Sequence, residues 1–500
     1  MPNRFNLVDE PWIPVAGKGL VSLADVFSNP NLSALGGNPI QKIALTKLLL
    51  AIAQTAYIPE DDEDWKNLGA FGMAERALAY LTEKKELFWL YGEKPFLQMP
   101  AIAQAEKQSF GAVQVYIATG NTTVLTQGQV ETSLTDAEKA ILVVQMMGFG
   151  LGGKKADNSI ILSSDYQGKS NDKGNPSTGK PGPSIGFRGF LHSFLQGKYL
   201  METLWINLLT EENMKGLKYF SNGFGTAPWE EMPQGEDCPA AKSLKNSHMG
   251  RLVPISRFVL LTDNGLHYSE GIVHPGYAEG MADPSVAVDY SGAKAKVLWV
   301  DPEKRPWRQL PALLSFLESE KNKGDFDCLQ LRLGVPRVKK ANLEFGLWSG
   351  GLRVSSNAGE QYVSGSNDFV ESEIQLDSSS LGDLWFSKLK GEMDELDKLS
   401  KITYGATMAF FNAQKGEGKD QAAQASNLFW QLCERRFQKL VDACNDNTGE
   451  EVKELRRTFA GFVNKAYNTY CPKDTARQMD AWAANLPNLS KYLQYMQANN

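Results

Sequence analysis

Residues 135–155 read TDAEKAILVVQMMGFGLGGKK, and the order of elements in this stretch separates two kinds of fold. Thr135 and Glu138 stand three apart as in a capping box, so Thr135-Asp136-Ala137-Glu138 opens an apolar helix running to about Met147. The glycines that follow satisfy two nucleotide-binding patterns at once. Residues 148–153 fit G-x-G-x-x-G, and residues 148–154 fit the start of G-x-x-x-x-G-K. Both patterns need a strand that delivers the loop and a helix N-terminus that receives phosphate on its free N–H groups. Here a capped helix comes first, and Ala156-Asp157-Asn158-Ser159 followed by Ile160-Ile161-Leu162 reads as turn and strand. Lys155 also takes the place of the Ser or Thr that binds magnesium. The stretch argues against a doubly wound nucleotide fold. A nucleotide-dependent enzyme using residues 148–154 stands as the alternative reading.

Missing side chains let a backbone approach a ligand surface closely. Lys154 and Lys155 open a segment, 154–190, with six basic residues (Lys169, Lys173, Lys180 and Arg188 are the others) against three acidic ones. Close backbone with local positive charge suits a duplex groove flanked by phosphates; a plain solvated loop is the competing reading. Asn357-Ala358 lies in a second small-residue loop, Gly350-Gly351-Leu352-Arg353-Val354-Ser355-Ser356-Asn357-Ala358-Gly359, downstream of the basic run Arg337-Val338-Lys339-Lys340. Asn beside Ala offers base-edge hydrogen bonds on a compact tip, and an ordinary hairpin turn accounts for it equally.

Outward from these loops the pattern is mixed. Helices are expected at about 40–57 and 72–89, separated by an acidic turn at Glu60-Asp61-Asp62-Glu63-Asp64. Residues 111–126 are β-rich and broken at Thr119-Gly120-Asn121, and 148–186 read as long exposed loops. Short strands (252–262, 285–300), short helices and turns fill 187–370. From about 381 the chain is helical in four segments, roughly 381–414, 420–445, 449–470 and 473–497, with separators short enough for antiparallel neighbours. The expected fold is α+β: a mixed domain over 1–370, then a four-helix bundle over 380–500 whose core holds Trp385, Phe386, Phe410, Phe411, Phe429, Trp430, Phe437, Phe459 and Phe462.

The chain has 500 residues, 42% hydrophobic, with net charge -6. That composition excludes a disordered or fibrous chain and a polybasic one that holds nucleic acid by bulk charge. Five scattered cysteines without a Cys-x-x-Cys pair argue against a disulfide framework or a zinc ribbon and favour a reducing cytoplasm. No signal peptide is apparent, and the run at 43–53 is interrupted by Lys47 and too short for a membrane span. The four histidines (His192, His248, His267, His274) show no metal-ligand spacing, and no nucleophile elbow occurs. No catalytic residue, metal or cofactor is expected.

With these residues assembled, the chain resembles the large-subunit (CasA) family of the type I-E CRISPR Cascade complex. The resemblance rests on Phe5-Asn6-Leu7-Val8-Asp9-Glu10-Pro11-Trp12-Ile13-Pro14-Val15, on Pro95-Phe96-Leu97-Gln98, on the order β-loop, capped helix, glycine loop, and on Gly350-Gly351-x-Arg353 before an acidic linker and terminal helices. It implies a cytoplasmic, non-enzymatic subunit that helps read the protospacer-adjacent motif (PAM) in double-stranded DNA and open the adjacent base pairs. Its implied partners are CRISPR RNA, the other Cascade subunits and the helicase-nuclease, with no membrane. By local match it assigns nucleic-acid contacts to Asn121 and Thr122, to Gly150, Gly152, Gly153, Lys154 and Lys155, and to Asn357 and Ala358 as the wedge beneath the PAM. The family wedge is Gln-Ala; here Asn stands in that place and Gln361 is nearby. The family's lysine finger would fall near 270–277, where this chain has Val273-His274-Pro275-Gly276. The cysteine-rich insertion of some relatives is absent, so the resemblance implies no metal.

Overall fold

The structure, a computed structural model, describes residues 3–115, 133–151, 189–276, 283–318, 326–357, 360–363, 368–446 and 448–494. The chain divides into two compact units: Met1–Pro306 with Lys323–Glu373, and Trp307–Asn322 with Ile374–Asn500.

In the first unit, helix α1 (Pro39–Ala56) starts at an Asn38/Gln41 capping box and buries Ile43, Leu45, Leu48, Leu49 and Ile52 on several faces, as a core helix does. Helix α2 (Asp62–Glu83) differs from expectation. Its N-cap Asp61 accepts from the N–H groups of Glu63 and Asp64, so the acidic run is the first turn of the helix rather than a separator. Carboxylates are favoured there because the free N–H groups carry positive partial charge. The helix bends at Gly69, whose φ of 61° suits a residue without Cβ. Trp65 of α2 stacks on Trp205 at 4.3 Å, and each indole N–H donates to the other residue's carbonyl at 2.9 Å.

Helix α3 (Asp136–Phe149) has the expected Thr135/Glu138 box. The start of the stretch expected as β, 111–126, is instead helical: Phe110–Val113 form a helical turn capped by Ser109. Residues 249–252 are likewise helical, and the strand expected from 252 begins at Arg257. Strand β1 (His192–Gln196) pairs with β4 (Phe345–Leu352), which lies between β1 and β5 (Phe369–Leu376). Strands β2 (Arg257–Thr262) and β3 (Gly265–Glu270) form an antiparallel hairpin extended by Lys107–Gln108. The expected 285–300 region is two short strands, Ala287–Asp289 and Lys296–Val297.

One loop assignment and the reading of one basic run are corrected. Gly350 and Gly351 belong to the wholly buried β4, where a Cβ on Gly351 would lie 2.8 Å from the Phe190 carbonyl oxygen. Arg337 is not part of a surface patch. It lies in helix α4 (Leu329–Lys340), 2% exposed, with its guanidinium over the Trp65 ring at 4.6 Å and donating to the Leu208 carbonyl at 2.5 Å.

In the second unit, α5 (Asp383–Ala413), α6 (Lys419–Ala443) and α7 (Glu450–Tyr470) are long helices, and α8 (Ala476–Ala484) and α9 (Ser490–Gln494) are short. The fourth expected helix is thus two pieces, because Pro487 supplies no N–H and disfavours helix in the residue before it. Trp385, Phe386, Phe410, Phe429, Trp430, Phe437 and Phe459 are buried as expected, while Phe411 and Phe462 are only half-buried. Arg456 of α7 pairs with Glu392 of α5. Trp307 packs against Phe437 at 4.5 Å, and the Arg308 guanidinium covers Trp430 at 3.7 Å. Among the described residues, no helix is long and apolar enough to cross a membrane.

Candidate nucleic-acid interface

Helix α3 carries the start of the glycine loop, and its C-terminal end is held from outside. Ser256 donates to the Met147 carbonyl through both N–H (2.8 Å) and Oγ (2.6 Å). Arg257, 1% exposed, donates from Nη2 to the carbonyls of Gly150 (3.2 Å) and Leu151 (3.4 Å). Its Nε donates to the Tyr268 hydroxyl (3.0 Å), which in turn donates to the Leu151 carbonyl (3.1 Å). A buried guanidinium therefore fixes the carbonyls just past the last turn, a region where an α-helix leaves its acceptors without internal partners. Arg257 also faces Glu270 across the β2–β3 register.

Gly150 itself is buried in extended backbone, and a Cβ there would lie 2.7 Å from Arg257 Cγ. Its small size serves this internal packing. Sequence reasoning missed Ser256, Arg257 and Tyr268. The available signal was a Ser-Arg pair inside the apolar run PISRFVLL, since a charged residue at a core position calls for a partner.

The N-terminal end of α3 is anchored as well. Asp136 accepts from the Tyr91 hydroxyl (2.7 Å) and from Arg4 Nη1 (3.0 Å). Lys139 donates to the Asp263 carbonyl (3.0 Å), with its Nζ 5.3 Å from the centre of the Phe110 ring. Segment 116–132 thus departs from the turn at 110–113 and returns to the α3 cap, while segment 152–188 departs from the other end of the same helix. At 1.5 Å per residue the two attachments are about 20 Å apart.

Segment 152–188 returns next to the second candidate loop. Gly189, at φ 77°, would place a Cβ 3.2 Å from the Leu352 carbonyl and from the Val354 nitrogen. Phe149 contacts the His192 ring at 5.8 Å, and His192 pairs with Gly350 in the β1–β4 register. Beyond β4, Ser355–Asn357 pairs with Glu360–Tyr362. Asn357 lies opposite Glu360 beside the tip, and Gln361 lies one pair further back, opposite Ser356. The hairpin's base is pinned by Arg353, which pairs with buried Asp368 at 2.6 Å. Asn121, Thr122, Gly152, Gly153, Lys154, Lys155 and Ala358 lie outside the described residues. The described flanks of the glycine loop and of the 357 hairpin meet at one end of this sheet, where β1 begins and β4 ends.

At the place of the expected lysine finger the chain has a buried array. His274 Nε2 lies 2.8 Å from the Pro254 carbonyl and Nδ1 lies 2.9 Å from Arg251 Nη1. Both contacts are satisfied by a neutral ring protonated at Nε2, and burial, aided by Arg251, pushes its pKa down to about 3. On the far side of segment 277–282, Asp283 pairs with Lys47 at 2.8 Å, and Lys47 also donates to the Arg251 carbonyl (3.0 Å). Burial opposes the charge on Asp283, but Lys47, His192 and the Ser285 hydroxyl hold its pKa below the ordinary range. Both ends of segment 277–282 are therefore fixed to the Lys47–Arg251 pair. Among the described residues, no group of three His, Cys, Asp or Glu side chains is placed to hold a metal ion.

The profile of the family described as CRISPR-associated protein Cse1 matches residues 6–466 of the chain. A CRISPR-associated protein CasA/Cse1 of Thermus thermophilus is 30% identical over 165 residues, which cover 30% of this chain and 32% of that protein, about a third of its length. The crystal structure of CasA from Thermus thermophilus superposes with a TM-score of 0.75 at 18% identity, covering 98% of this chain and 100% of that one. A chain of a structure described as a CRISPR RNA-guided surveillance complex superposes with a TM-score of 0.68 at 15% identity, covering 97% and 99%. These two likenesses are likenesses of fold.

Proposed function

Because the chain belongs to the Cse1 family of CRISPR-associated proteins, we propose that it is a non-catalytic subunit of a CRISPR RNA-guided surveillance complex. In this reading it recognises the PAM in double-stranded DNA, helps open the adjacent duplex for guide-RNA pairing, and helps recruit the helicase-nuclease. Residues 1–370 without the passage Trp307–Asn322 are the reader, and 380–500 with that passage are the helical domain, with CRISPR RNA and the other Cascade subunits as partners. Asn121 and Thr122, the glycine-loop residues Gly152, Gly153, Lys154 and Lys155, and Asn357 with Ala358 carry the contacts. Gly150 acts from beneath, by letting Arg257 set the loop's exit.

The observation that supports this reading is the meeting of both ends of segment 152–188 with the base of the 357 hairpin around His192, Gly350 and Gly189. A glycine-rich loop whose described flanks meet the base of a two-stranded hairpin suits reading a groove and entering the step below it. The energetics are modest. Each DNA step opened loses about 1.4 kcal/mol of stacking, which guide pairing approximately restores, so the protein needs only to nucleate the opening. Readout from the minor groove distinguishes A·T from G·C more than one orientation from the other, so several PAMs would be accepted.

The test is reconstitution with the guide-RNA backbone complex and binding to duplexes with intact and scrambled PAMs. Asn357→Ala is expected to slow strand opening more than initial PAM binding. Equal effects on the two steps, or equal affinity for intact and scrambled PAMs, would count against the assignment.

A further inference from the structure

Arg353 follows β4, leads into the 357 hairpin, and is tied to Asp368 twice. Its N–H donates to the Asp368 carbonyl at 2.9 Å, and its Nη2 lies 2.6 Å from Asp368 Oδ1. The two side chains differ in exposure, 44% for Arg353 and 3% for Asp368. An ordinary surface pair such as Arg332–Asp327 shares its exposure, at 33% and 31%. A carboxylate taken out of water is costly unless paired, so buried Asp368 fixes where the guanidinium stands. A guanidinium carries five N–H donors. Among the described residues the Arg353 side chain bonds to Asp368 alone, which leaves its other donors to solvent or to a ligand. The pair is neutral as a whole, but an approaching anion meets the open guanidinium before the covered carboxylate. Gly189, just past segment 152–188, packs against the same place: a Cβ on it would lie 3.8 Å from Arg353 Cα.

We propose that Arg353, held by Asp368, binds a phosphate of the DNA backbone beside the duplex step that the 357 hairpin enters. The inference rests on the reading of that hairpin as the part that enters the duplex. Arg353 stands four positions before Asn357, up to about 13 Å along an extended chain. The minor groove is only about 7.5 Å deep. A hairpin whose tip reaches the base pairs therefore keeps its base outside the groove, at the level of the phosphates. A guanidinium can meet two phosphate oxygens at once, and one already oriented by a buried carboxylate loses little freedom on binding. Such a contact positions the duplex and carries no sequence information, so it strengthens binding to every accepted PAM alike.

The experiment compares variants of the full chain in the reconstituted complex, binding PAM-containing duplex across a salt series. Arg353→Gln is expected to weaken binding about tenfold and to reduce the slope of log K against log[salt] by about 0.9. Asp368→Asn keeps the charge at 353 but releases it, so affinity should fall while the slope stays. If Arg353 only pins the hairpin, both variants lose affinity alike with unchanged slopes, and that result overturns the proposal. Replacing single DNA phosphates near the PAM by uncharged methylphosphonate locates the contact. One position should cost the unmodified chain about tenfold and cost Arg353→Gln nothing further; the absence of any such position also overturns the proposal. Affinity for the guide-RNA backbone complex without DNA should not change, and a loss there assigns the phosphate to RNA and sinks the DNA contact. If Arg353→Gln does not fold, Arg353→Lys replaces it in the methylphosphonate series, where a profile identical to that of the unmodified chain is the overturning result. Equal binding of intact and scrambled PAMs by the unmodified complex would defeat the reading of the hairpin and this inference with it. PAM discrimination with an unchanged slope in Arg353→Gln defeats this inference alone.

Discussion

A Cβ at Gly150 would lie 2.7 Å from Arg257 Cγ and 3.1 Å from the Tyr268 hydroxyl, both in a buried site with little room to yield. Gly150→Val should therefore cost about 1–3 kcal/mol by overpacking, read as a lower thermal midpoint before any DNA is added. Arg257→Ala removes the donors to Gly150 and Leu151 and should cost about 3 kcal/mol, since buried acceptors lose their partner. An unchanged midpoint in either variant would show that the loop's exit is not set by this contact. The two buried histidines give a pH signature. Burial, the largest cause, depresses the pKa of both His248 and His274 to about 3, so each is neutral in the folded chain. The unfolded chain takes up both protons near pH 6.5. The stabilisation from neutral burial is therefore full above pH 6.5 and falls as pH drops toward 3, by about 1.4 kcal/mol per histidine per unit. His248 touches Phe220 and Phe224, and neither ring nitrogen has a hydrogen-bond partner among the described residues. His248→Leu should flatten the acid limb of an unfolding-versus-pH curve by about one proton. A slope that does not change refutes the assignment.

Helix α3 is the element that ties the candidate loops together, and its start is fixed by a local box. Thr135→Ala should cost about 1 kcal/mol in a denaturant titration, because Thr135 Oγ1 accepts from the Glu138 N–H and Glu138 Oε2 from the Thr135 N–H. The box was legible because its residues are three apart in sequence. So were the long terminal helices, whose apolar spacing repeats over many turns. The acidic run at 61–64 was misread because carboxylates serve both a solvated turn and a helix start. Gly350 and Gly351 were misread because small residues at a crowded strand look like a loop until Trp348 and Val370 are brought against the first and Val300 and Phe190 against the second. Arg257 and Tyr268 meet Gly150 and Leu151 from more than a hundred positions away. No local pattern encodes such an anchor.

At the scale of the molecule, a net charge of -6 means that the chain alone should hold duplex weakly, with affinity concentrated where a partner complex presents the DNA. In the reconstituted complex, Lys154→Gln with Lys155→Gln should reduce the salt slope of PAM-dependent binding by up to about 1.8, 0.9 for each phosphate released. No change in slope would leave those lysines without a DNA contact. The chain's route through its two units carries a separate consequence. Trp307 and Arg308 belong to the helical unit, yet the residues after them return to the first unit before α5 begins. During synthesis the ribosome thus releases a piece of the second core before the strand that finishes the first, and that piece must wait, unpaired, for α6 to emerge. A graft that exchanges the terminal helices at a cut near residue 374 would inherit Phe437 and Trp430 but leave their indole and guanidinium covers in the other parent. Heredity by simple tail swapping is thereby discouraged: in this fold, the helical end can be passed on faithfully only together with a short passage from the middle of the chain.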